Sequence, residues 1–406
     1  MLKIGILGDG FIQWGGGLDF LRTICASLGA TSTPMELHLL LPVSGPRATL
    51  HAAVQKLKVN VHAVAGKQVP SYAPSAEDIE LAISGYDVPI VCHRIDIGGR
   101  AVAKAFQRLG LHILLPSFNP LPFGADMPWI GYLYDFQHRH LPHFFSQRER
   151  AARDEAFAKM LKDAPGVIVN AGTVASDIAQ FYPDAQTRVF ALPFSTAPSP
   201  AWLNLDSSVA QKTHGIPKDY FIVCNQFWQH KDHTTAFAAF AAFSQRHPEV
   251  HLVCTGATSD YRSVDYFKGL MQQIERDGVS NRVHILGLIP KNDQIALLRG
   301  AIGLLQPTLN EGGPGGGSVY DSVALGISSI VSDIPVNREI HGEETVSFFR
   351  AKDPVSLAAG MTSLMQARPG KQFSSSDLLR QGQERRARCG NMLLEAIAQV
   401  CQQPHV

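Results

Sequence analysis

The residues whose types and spacing most clearly suit a binding or catalytic role lie in a glycine-rich stretch at residues 306–335. One acid, Glu311, is followed by five glycines and a proline in six positions, and we predict a helix that begins near Ser318. Such a loop leaves backbone N–H groups uncovered at a helix N-terminus, where the helix dipole favours negative charge. Glycine also lets a ligand approach the main chain closely. The stretch predicts an anion site with Ser318 as the helix N-cap, and a flexible glycine loop is the alternative.

A second polar cluster places three histidines in six positions, at His138, His140 and His143. A metal site is disfavoured because Pro142 breaks any helix that would align them, and no cysteine or pair of carboxylates joins the cluster. Since loops at strand ends commonly carry function, we predict that these residues form a polar rim of an active site.

The elements that must position these residues alternate between strand and helix along the whole chain. Strands are predicted at 2–7, 36–41, 59–64, 89–92, 111–115, 129–134, 166–170, 220–224, 250–255, 283–286, 302–306 and 329–332. Helices are predicted at 18–28, 48–56, 100–109, 147–161, 173–181, 233–246, 264–277, 292–299, from 318 onward, at 354–366 and at 376–400. This alternation with short connections predicts α/β architecture with mostly parallel, doubly wound sheets.

A chain of 406 residues exceeds what one hydrophobic core usually supports, so we predict two Rossmann-like domains that face each other across a cleft. The predicted boundaries are an N-terminal domain at 1–197, a hinge or linker at 198–218, a C-terminal domain at 219–385 and a final helix at 386–406. We expect that helix to pack back on the N-terminal domain. Clefts between domains are preferred sites for small molecules.

Composition describes an ordinary globular protein, with 45% hydrophobic residues, 17% charged residues and a net charge of +1. The charge gives no global attraction for nucleic acid. No apolar run reaches the roughly 18 residues that a membrane span requires. The N-terminus enters a strand directly, and the six cysteines show no CxxC spacing. We therefore predict a cytoplasmic protein with free thiols.

The glycines after the first strand raise a dinucleotide-binding alternative. Gly8 and Gly10 open a loop that ends at Gly15, Gly16 and Gly17. A dinucleotide fingerprint needs glycine at position 13, which is Gln13 here, and no acid ends a second strand about 20 residues further on. A dehydrogenase is therefore disfavoured.

The second half of the chain resembles the retaining glycosyltransferases of family 4. The resemblance is strong over residues 220–345 and is carried by four stretches in order, NQFWQHKDHTTAFAAF, HLVCTG, RVHILGLIPKNDQIALLRGA and LLQPTLNEGGPGGGSVYDSVALGISSIVSDIPVNREI. The first half is similar only in its glycine-rich first loop, in YDFQH and in VIVNAGTVASDIAQFYP. The resemblance implies the GT-B fold and retaining transfer of a hexosyl group from a nucleotide-diphosphate sugar. It also implies a glycan or lipid-linked acceptor of the kind used in bacterial polysaccharide synthesis.

Carried over residue by residue, the resemblance places the main donor-binding groups in the second half. Lys231 occupies the position of the lysine that neutralises the donor diphosphate, whereas Gln226 replaces the family's arginine. Glu311 matches the first family acid, which contacts the sugar hydroxyls. The second acid is expected eight residues later, at Val319, so Asp321 would be its equivalent after a two-residue expansion of the loop. Its implied role is to accept hydrogen bonds from the ribose 2′- and 3′-hydroxyls, and an exposed helix acid is the alternative.

The resemblance also assigns contacts made by the backbone. It implies that Gly313, Gly315, Gly316 and Gly317 present N–H groups to the sugar and phosphates, next to Ser318. Leu288 and Ile289 would border the base, and Gly15, Gly16 and Gly17 would lie under the donor phosphates.

The catalytic residues of the first half are less fully matched. Many family members carry His-Asp after the strand at 129–134, and this chain has Tyr134 and Asp135. Asp135 is retained, and either His138 or His93 is a candidate to replace the missing histidine. For His138 the alternative is a surface histidine with its hydrogen bonds satisfied.

The resemblance implies front-face attack assisted by the leaving phosphate, with Glu311 orienting the sugar. No metal or cofactor is expected, because Lys231 and backbone amides would meet the charge of the diphosphate. Alternatives are an epimerase or a glycoside phosphorylase of the same fold, and a non-catalytic sugar-nucleotide-binding protein. The apolar residues at 118–129, beside 138–153, would suit an acceptor at the inner membrane surface, although exposed apolar loops are common.

Overall fold

The computed structural model describes residues 1–12, 15–42, 89–96, 99–121, 127–367 and 373–402. The chain divides into two compact units. The first comprises Met1–Tyr134, Gln147–Pro193 and Arg386–Val406, and the second comprises Asp135–Ser146 and Phe194–Arg385. The helix predicted at 48–56 and the strand predicted at 59–64 lie outside the described residues.

The described residues of the first unit form a seven-stranded sheet in which all strand pairs are parallel. The strands are β1 (Leu2–Leu7), β2 (Met35–Pro42), β3 (Ile90–Ile95), β4 (Ile113–Ser117), β5 (Trp129–Tyr132), β6 (Gly166–Val169) and β7 (Arg188–Ala191). They lie in the order β3-β2-β1-β4-β5-β6-β7. The chain thus starts in the middle of the sheet, runs to one edge and then builds the other, as in doubly wound nucleotide-binding folds.

Helices connect these strands. They are α1 (Gly15–Gly29), α2 (Gly99–Leu109), α4 (Gln147–Asp163) and α5 (Gly172–Phe181), while the short α3 (Gln137–His140) belongs to the second unit. Helix α1 starts three residues earlier than predicted, so Gly15, Gly16 and Gly17 form its first turn.

The second unit repeats the architecture with six strands in the order β10-β9-β8-β11-β12-β13. The strands are β8 (Tyr220–Cys224), β9 (His251–Thr255), β10 (Val283–Gly287), β11 (Gly303–Gln306), β12 (Ser329–Ser332) and β13 (Val346–Phe349). The helices are α6 (Ser207–His214), α7 (His233–Ser244), α8 (Tyr266–Arg276), α9 (Lys291–Gly300), α10 (Gly316–Ala324), α11 (Pro354–Gln366) and α12 (Ser375–Cys401). The prediction of doubly wound, parallel α/β sheets is confirmed in both units.

Strand burial explains why the sequence signals the central elements well. β8 and β11 carry apolar residues on both faces and are buried almost throughout, as central strands of parallel sheets are. The apolar helix α7 packs in the same core, with Phe237 and Phe240 fully buried against Phe221 and Val223.

Some of the described elements were not predicted from the sequence, namely the short helix α3, the strands β7 and β13, and helix α6. β7 and β13 are edge strands that are only partly buried and mix polar with apolar residues. Helix α6 lies within residues 198–218, where a linker is predicted. Its ends are nevertheless well formed, since Asp206 accepts a hydrogen bond from the Ser208 N–H and Gly215 closes the helix at a φ of 65°.

The C-terminal helix α12 is shared between the units. Its residues up to Arg385 belong to the second unit, and those from Arg386 belong to the first. In the first unit Leu393, Ala396 and Val400 enter the hydrophobic core. Within the described ranges, no helix combines the length and the apolar character needed to cross a membrane.

Candidate active site

The second sheet brings two polar loops together at its topological switch point. β8 and β11 are neighbours at the centre, and the chain continues from β8 to β9 on one side and from β11 to β12 on the other. Ligands of open α/β sheets bind outside the carboxyl ends of strands at such a point. The loop after β8 carries Lys231, and the loop after β11 carries Glu311.

Lys231 and Glu311 form an ion pair that joins these two loops. The Lys231 Nζ lies 2.5 Å from the Glu311 Oε1, and the two side chains are only 15% and 10% exposed. An ammonium group has three N–H donors, so its bond to Glu311 leaves donors for an anionic ligand. The pair therefore places a fixed positive charge and a carboxylate at the switch point.

The loop after β8 is held by its own backbone geometry. Lys231 ends a short 3-10 turn, and Asp232 follows it with a φ of 49° and caps helix α7 by accepting hydrogen bonds from Thr235. Burial raises the pKa of the Asp232 carboxyl above its ordinary value. The carbonyl of His230 accepts a bond of 2.7 Å from the Leu309 N–H, which ties this loop to the one that carries Glu311.

The glycine-rich loop approaches Glu311 closely. Gly315 and Gly316 have φ values of 74° and 66°, which side chains rarely adopt. A Cβ built on Gly316 would lie 2.9 Å from the Glu311 Oε2, so glycine is needed to make room for the carboxylate. Gly317 is exposed and has nothing within 4 Å of a built Cβ, so a ligand can reach helix α10 there.

The structure corrects two expectations about this loop. The N-cap of α10 is Gly315 rather than Ser318, whose hydroxyl is buried in the first turn and donates to the Gln306 Oε1 at 3.1 Å. The N–H groups of Gly315 and Gly316 also bond within the protein, to the Asn337 Oδ1 at 2.8 Å and to the Gly313 carbonyl at 3.2 Å. These two N–H groups are used to shape the loop.

Asp321 lies on helix α10 and pairs with Lys291, the first residue of helix α9. The Lys291 Nζ is 2.5 Å from the Asp321 Oδ2, and the side chains are 43% and 14% exposed. Lys291 also lies 5.6 Å from the ring centre of Trp202. Asp321 is thus a largely buried, ion-paired carboxylate and not the exposed helix acid of the alternative interpretation.

The other predicted donor-binding residues of this unit follow the carboxyl ends of strands β8 and β10. Leu288 is exposed, and Ile289 packs partly against the hydrophobic core. Gln226, the second residue after β8, is exposed. Their contacts with a nucleotide stay predictions.

Asp135 and His138 belong to the second unit, although they follow a strand of the first. Asp135 accepts a hydrogen bond of 3.0 Å from the Gln137 N–H and so stabilises the start of α3. His138 is fully buried and lies near the rings of Phe136 and Phe145. It is therefore not a surface histidine, and its contact with a substrate stays a prediction.

A buried arginine fastens the 135–146 segment within the second unit. Arg262 donates to the Gln137 Oε1 at 3.2 Å and lies 5.0 Å from the ring centre of Phe145. Its Nε is 3.5 Å from the Asp260 Oδ1, and both side chains are buried.

The remaining predicted site residues belong to the first unit. Gly16 is exposed and Gly17 is buried in the first turn of α1, where Gly15 begins the helix. His93 lies within β3 rather than at its end, with its Nε2 3.0 Å from the His38 Nδ1. Burial, followed by nearby positive charge, lowers the pKa of His93.

Two buried amides at the switch point were missed by the sequence analysis. Asn225 follows β8, and Gln306 ends β11, and their side chains meet at 2.7 Å. A signal for them does exist in the sequence, because each is a polar residue at the carboxyl end of a wholly apolar strand. Lys291 had no comparable signal. In the described part of the chain, no three His, Cys, Asp or Glu residues come close enough to hold a metal ion.

Comparison with known proteins agrees with this geometry. Residues 207–383, which lie in the second unit, match the family model described as glycosyl transferases group 1. No curated protein matches the chain in sequence.

Solved structures match almost the whole chain. HepE of Anabaena, in complex with UDP and glucose, has a TM-score of 0.63 and 16% sequence identity, over 98% of this chain and 100% of that one. Sucrose-phosphate synthase of Thermosynechococcus elongatus has a TM-score of 0.60 and 15% identity, over 98% and 96%. WaaG, a glycosyltransferase involved in lipopolysaccharide biosynthesis, has a TM-score of 0.52 and 14% identity, over 96% and 95%.

These structures confirm the GT-B fold that the resemblance implies. The second unit therefore resembles the group 1 glycosyl transferases in sequence, and the described chain has the GT-B fold.

Proposed function

We propose that this protein transfers a sugar from a nucleotide-diphosphate sugar to a glycan or lipid-linked acceptor, with retention at the anomeric carbon, as in family 4. The observation that supports this most directly is the Lys231–Glu311 pair at the switch point of the second sheet. It sets a cation for a diphosphate beside a carboxylate for sugar hydroxyls, next to the exposed Gly317 of α10.

In this proposal each polar group has a distinct role. Lys231 and the N-terminal end of α10 stabilise the negative charge that grows on the leaving diphosphate. Glu311 orients the sugar, Asp321 accepts hydrogen bonds from the ribose, and the backbone of Leu288 and Ile289 borders the base. The burial of Lys231 and Glu311 beside the glycine loop favours these roles, because electrostatic contacts gain strength where water is excluded.

Further parts of the proposal come from the resemblance. Transfer needs no metal and no cofactor, Asp135 and His138 contribute to the sugar or acceptor site, and the first turn of α1 lies under the donor phosphates. The acceptor belongs to bacterial polysaccharide synthesis, and the protein works in the cytoplasm at the inner face of the membrane. HepE was crystallised with UDP-glucose, which makes UDP-hexoses the first donors to test.

A donor panel tests the proposal. Purified protein is incubated with UDP-, GDP- and ADP-hexoses, with and without bacterial glycan and lipid-linked acceptors, and release of nucleoside diphosphate and the anomeric configuration of the product are measured. We expect diphosphate release with one donor class and a product that keeps the donor's configuration. Binding without turnover would instead indicate a non-catalytic sugar-nucleotide-binding protein, and isomerised donor without transfer would indicate an epimerase.

A further inference from the structure

A fully buried glutamine lies under the Lys231–Glu311 pair. Gln306 is the last residue of β11 and has no exposed surface. Burying an amide is costly unless its polar atoms are hydrogen-bonded, so a buried glutamine at the end of an apolar strand calls for partners.

Gln306 has a partner for each side of its amide. Its Oε1 accepts hydrogen bonds from the Asn225 Nδ2 at 2.7 Å and from the Ser318 Oγ at 3.1 Å. Its Nε2 donates to the Gly315 carbonyl at 2.8 Å and to the Glu311 Oε1 at 3.2 Å. A carbonyl and a carboxylate only accept, so the amide nitrogen must face them and the orientation of the side chain is determined.

The two oxygens of Glu311 are consequently not equivalent. Lys231 and Gln306 both bond to Oε1. Among the described residues no hydrogen bond reaches Oε2, although both oxygens lie close to Gly316, at 2.9 Å for Oε2 and 3.0 Å for Oε1 from a Cβ built there.

The two donors to Oε1 also differ in mobility. Lys231 has a flexible four-carbon stem and a charge that an incoming diphosphate attracts. Gln306 is neutral and is held at three other points by Asn225, Ser318 and Gly315. When Lys231 turns toward the phosphates, the bond from Gln306 keeps the carboxylate in place.

We propose that Gln306 is a positioning residue for Glu311, holding Oε1 so that Oε2 is directed to a hydroxyl of the donor sugar. This role rests on the proposed function, since it assumes that Glu311 contacts the sugar.

Kinetics of a near-isosteric variant test the proposal. Gln306→Met removes the amide and keeps most of the volume, and we expect kcat to fall at least tenfold while the Kd for UDP changes less than twofold. In Gln306→Met combined with Glu311→Gln, kcat should be no lower than in Glu311→Gln alone, because Gln306 acts through that carboxylate. Additive losses in the double variant would overturn the proposal.

The matched control is Ser322→Ala. It removes another buried side-chain hydrogen bond of helix α10, the 2.6 Å contact between Ser322 and Ser329, without touching Glu311. We expect it to lower thermal stability and leave kcat unchanged. Equal losses of kcat in both variants would show that only loop stability matters and would also overturn the proposal.

A crystal structure of Gln306→Met with UDP bound provides a readout that does not depend on turnover. With Lys231 turned toward the diphosphate, we expect the Glu311 side chain to leave the rotamer that it has in the UDP-bound wild type, and the same rotamer in both proteins would refute the positioning role. If the donor panel shows no transfer, the proposed function fails, whereas this structure still decides whether Gln306 positions Glu311. Should Gln306→Met not fold, Gln306→Glu keeps the volume and both accepted bonds but loses both donors, and the same shift of Glu311 is expected.

Discussion

Among single residues, Glu311 is the one whose substitution we expect to lower transfer activity most. Glu311→Ala should lower transfer at least about 100-fold, because contacts made at the reacting centre commonly contribute this much. Glu311→Gln should lose nearly as much activity, since an amide NH2 group cannot accept a hydrogen bond from a sugar hydroxyl. Initial-rate kinetics, together with circular dichroism to check the fold, measure both effects.

The control for Glu311 is Glu249→Gln, which alters an exposed carboxylate that pairs only with His247 at 3.7 Å in the described structure. Its turnover should equal that of the wild type. Near-normal turnover in a folded Glu311→Ala variant would remove Glu311 from the proposed site.

His233 provides a pH-dependent prediction. Its ring is fully buried against Phe227, and among the described residues neither ring nitrogen has a hydrogen-bond partner. Burial, and then the charge of Lys231, lowers the pKa of His233 from 6.5 to about 3. Between pH 6.5 and about pH 3 His233 is therefore protonated in the unfolded chain but not in the folded chain, so the free energy of unfolding falls as the pH falls through this range.

His233→Phe should remove this part of the pH dependence. Between pH 7.5 and pH 5 the wild type should lose about 2 kcal/mol of unfolding free energy through His233, and the variant should lose that much less. Urea denaturation at both pH values measures the difference. Equal losses in the two proteins would mean that His233 can be protonated without unfolding.

The Lys291–Asp321 pair joins helices α9 and α10, and substitutions of its two residues test whether Asp321 binds the ribose or only pairs with Lys291. If Asp321 binds the ribose, Asp321→Ala loses two hydrogen bonds to a charged acceptor, each worth roughly 1.5–3 kcal/mol before compensation, and affinity for UDP should fall at least tenfold. Asp321→Asn should lose less, because its amide oxygen still accepts one bond. Calorimetric titration with UDP measures both variants.

Lys291→Ala is the control for that prediction, because it breaks the same ion pair from the other side. Lys291 is substantially exposed, and exposed pairs contribute little. Its affinity for UDP should change less than about threefold. A tenfold loss in Lys291→Ala with no loss in Asp321→Ala would show that the ribose is not bound by the acid.

The 135–146 segment depends on a second link between elements, made by Arg262. Arg262→Met leaves the buried Asp260 without its cationic partner, and breaking a buried pair typically costs about 3–5 kcal/mol. We expect a lower Tm and faster hydrogen exchange at residues 136–146. Arg350→Ala is the control, because Arg350 is exposed and pairs at the surface with Asp353. Unchanged exchange in Arg262→Met would show that other contacts hold the segment.

At the scale of the whole molecule, a net charge of +1 offers no long-range attraction for a dianionic diphosphate. In the proposed mechanism the charge is met locally, by Lys231 and by backbone amides at α10. Transfer should therefore survive an excess of EDTA, as measured by diphosphate release in metal-free buffer. Activity that EDTA abolishes and Mg²⁺ or Mn²⁺ restores would instead reveal an ion in the working enzyme.

Most of the described helices and strands, and their order, can be predicted from the sequence. Apolar runs such as 220–224 and 302–306 identify buried strands directly, because both faces of a central parallel strand are covered. The glycines at 312–317 likewise marked the loop at the switch point. Edge strands β7 and β13 were not predicted, since their partly exposed positions do not require a fully apolar strand.

The pairing of the polar groups, by contrast, is visible only in the tertiary structure. Glu311 meets Lys231 across 80 positions of sequence, Asp321 meets Lys291 across 30, and Gln306 meets Asn225 across 81. Sequence pattern encodes which face of an element is apolar, but it does not encode which polar ends of two distant strands become neighbours. That follows from the order of strands in the sheet, which forms only when the whole core is buried.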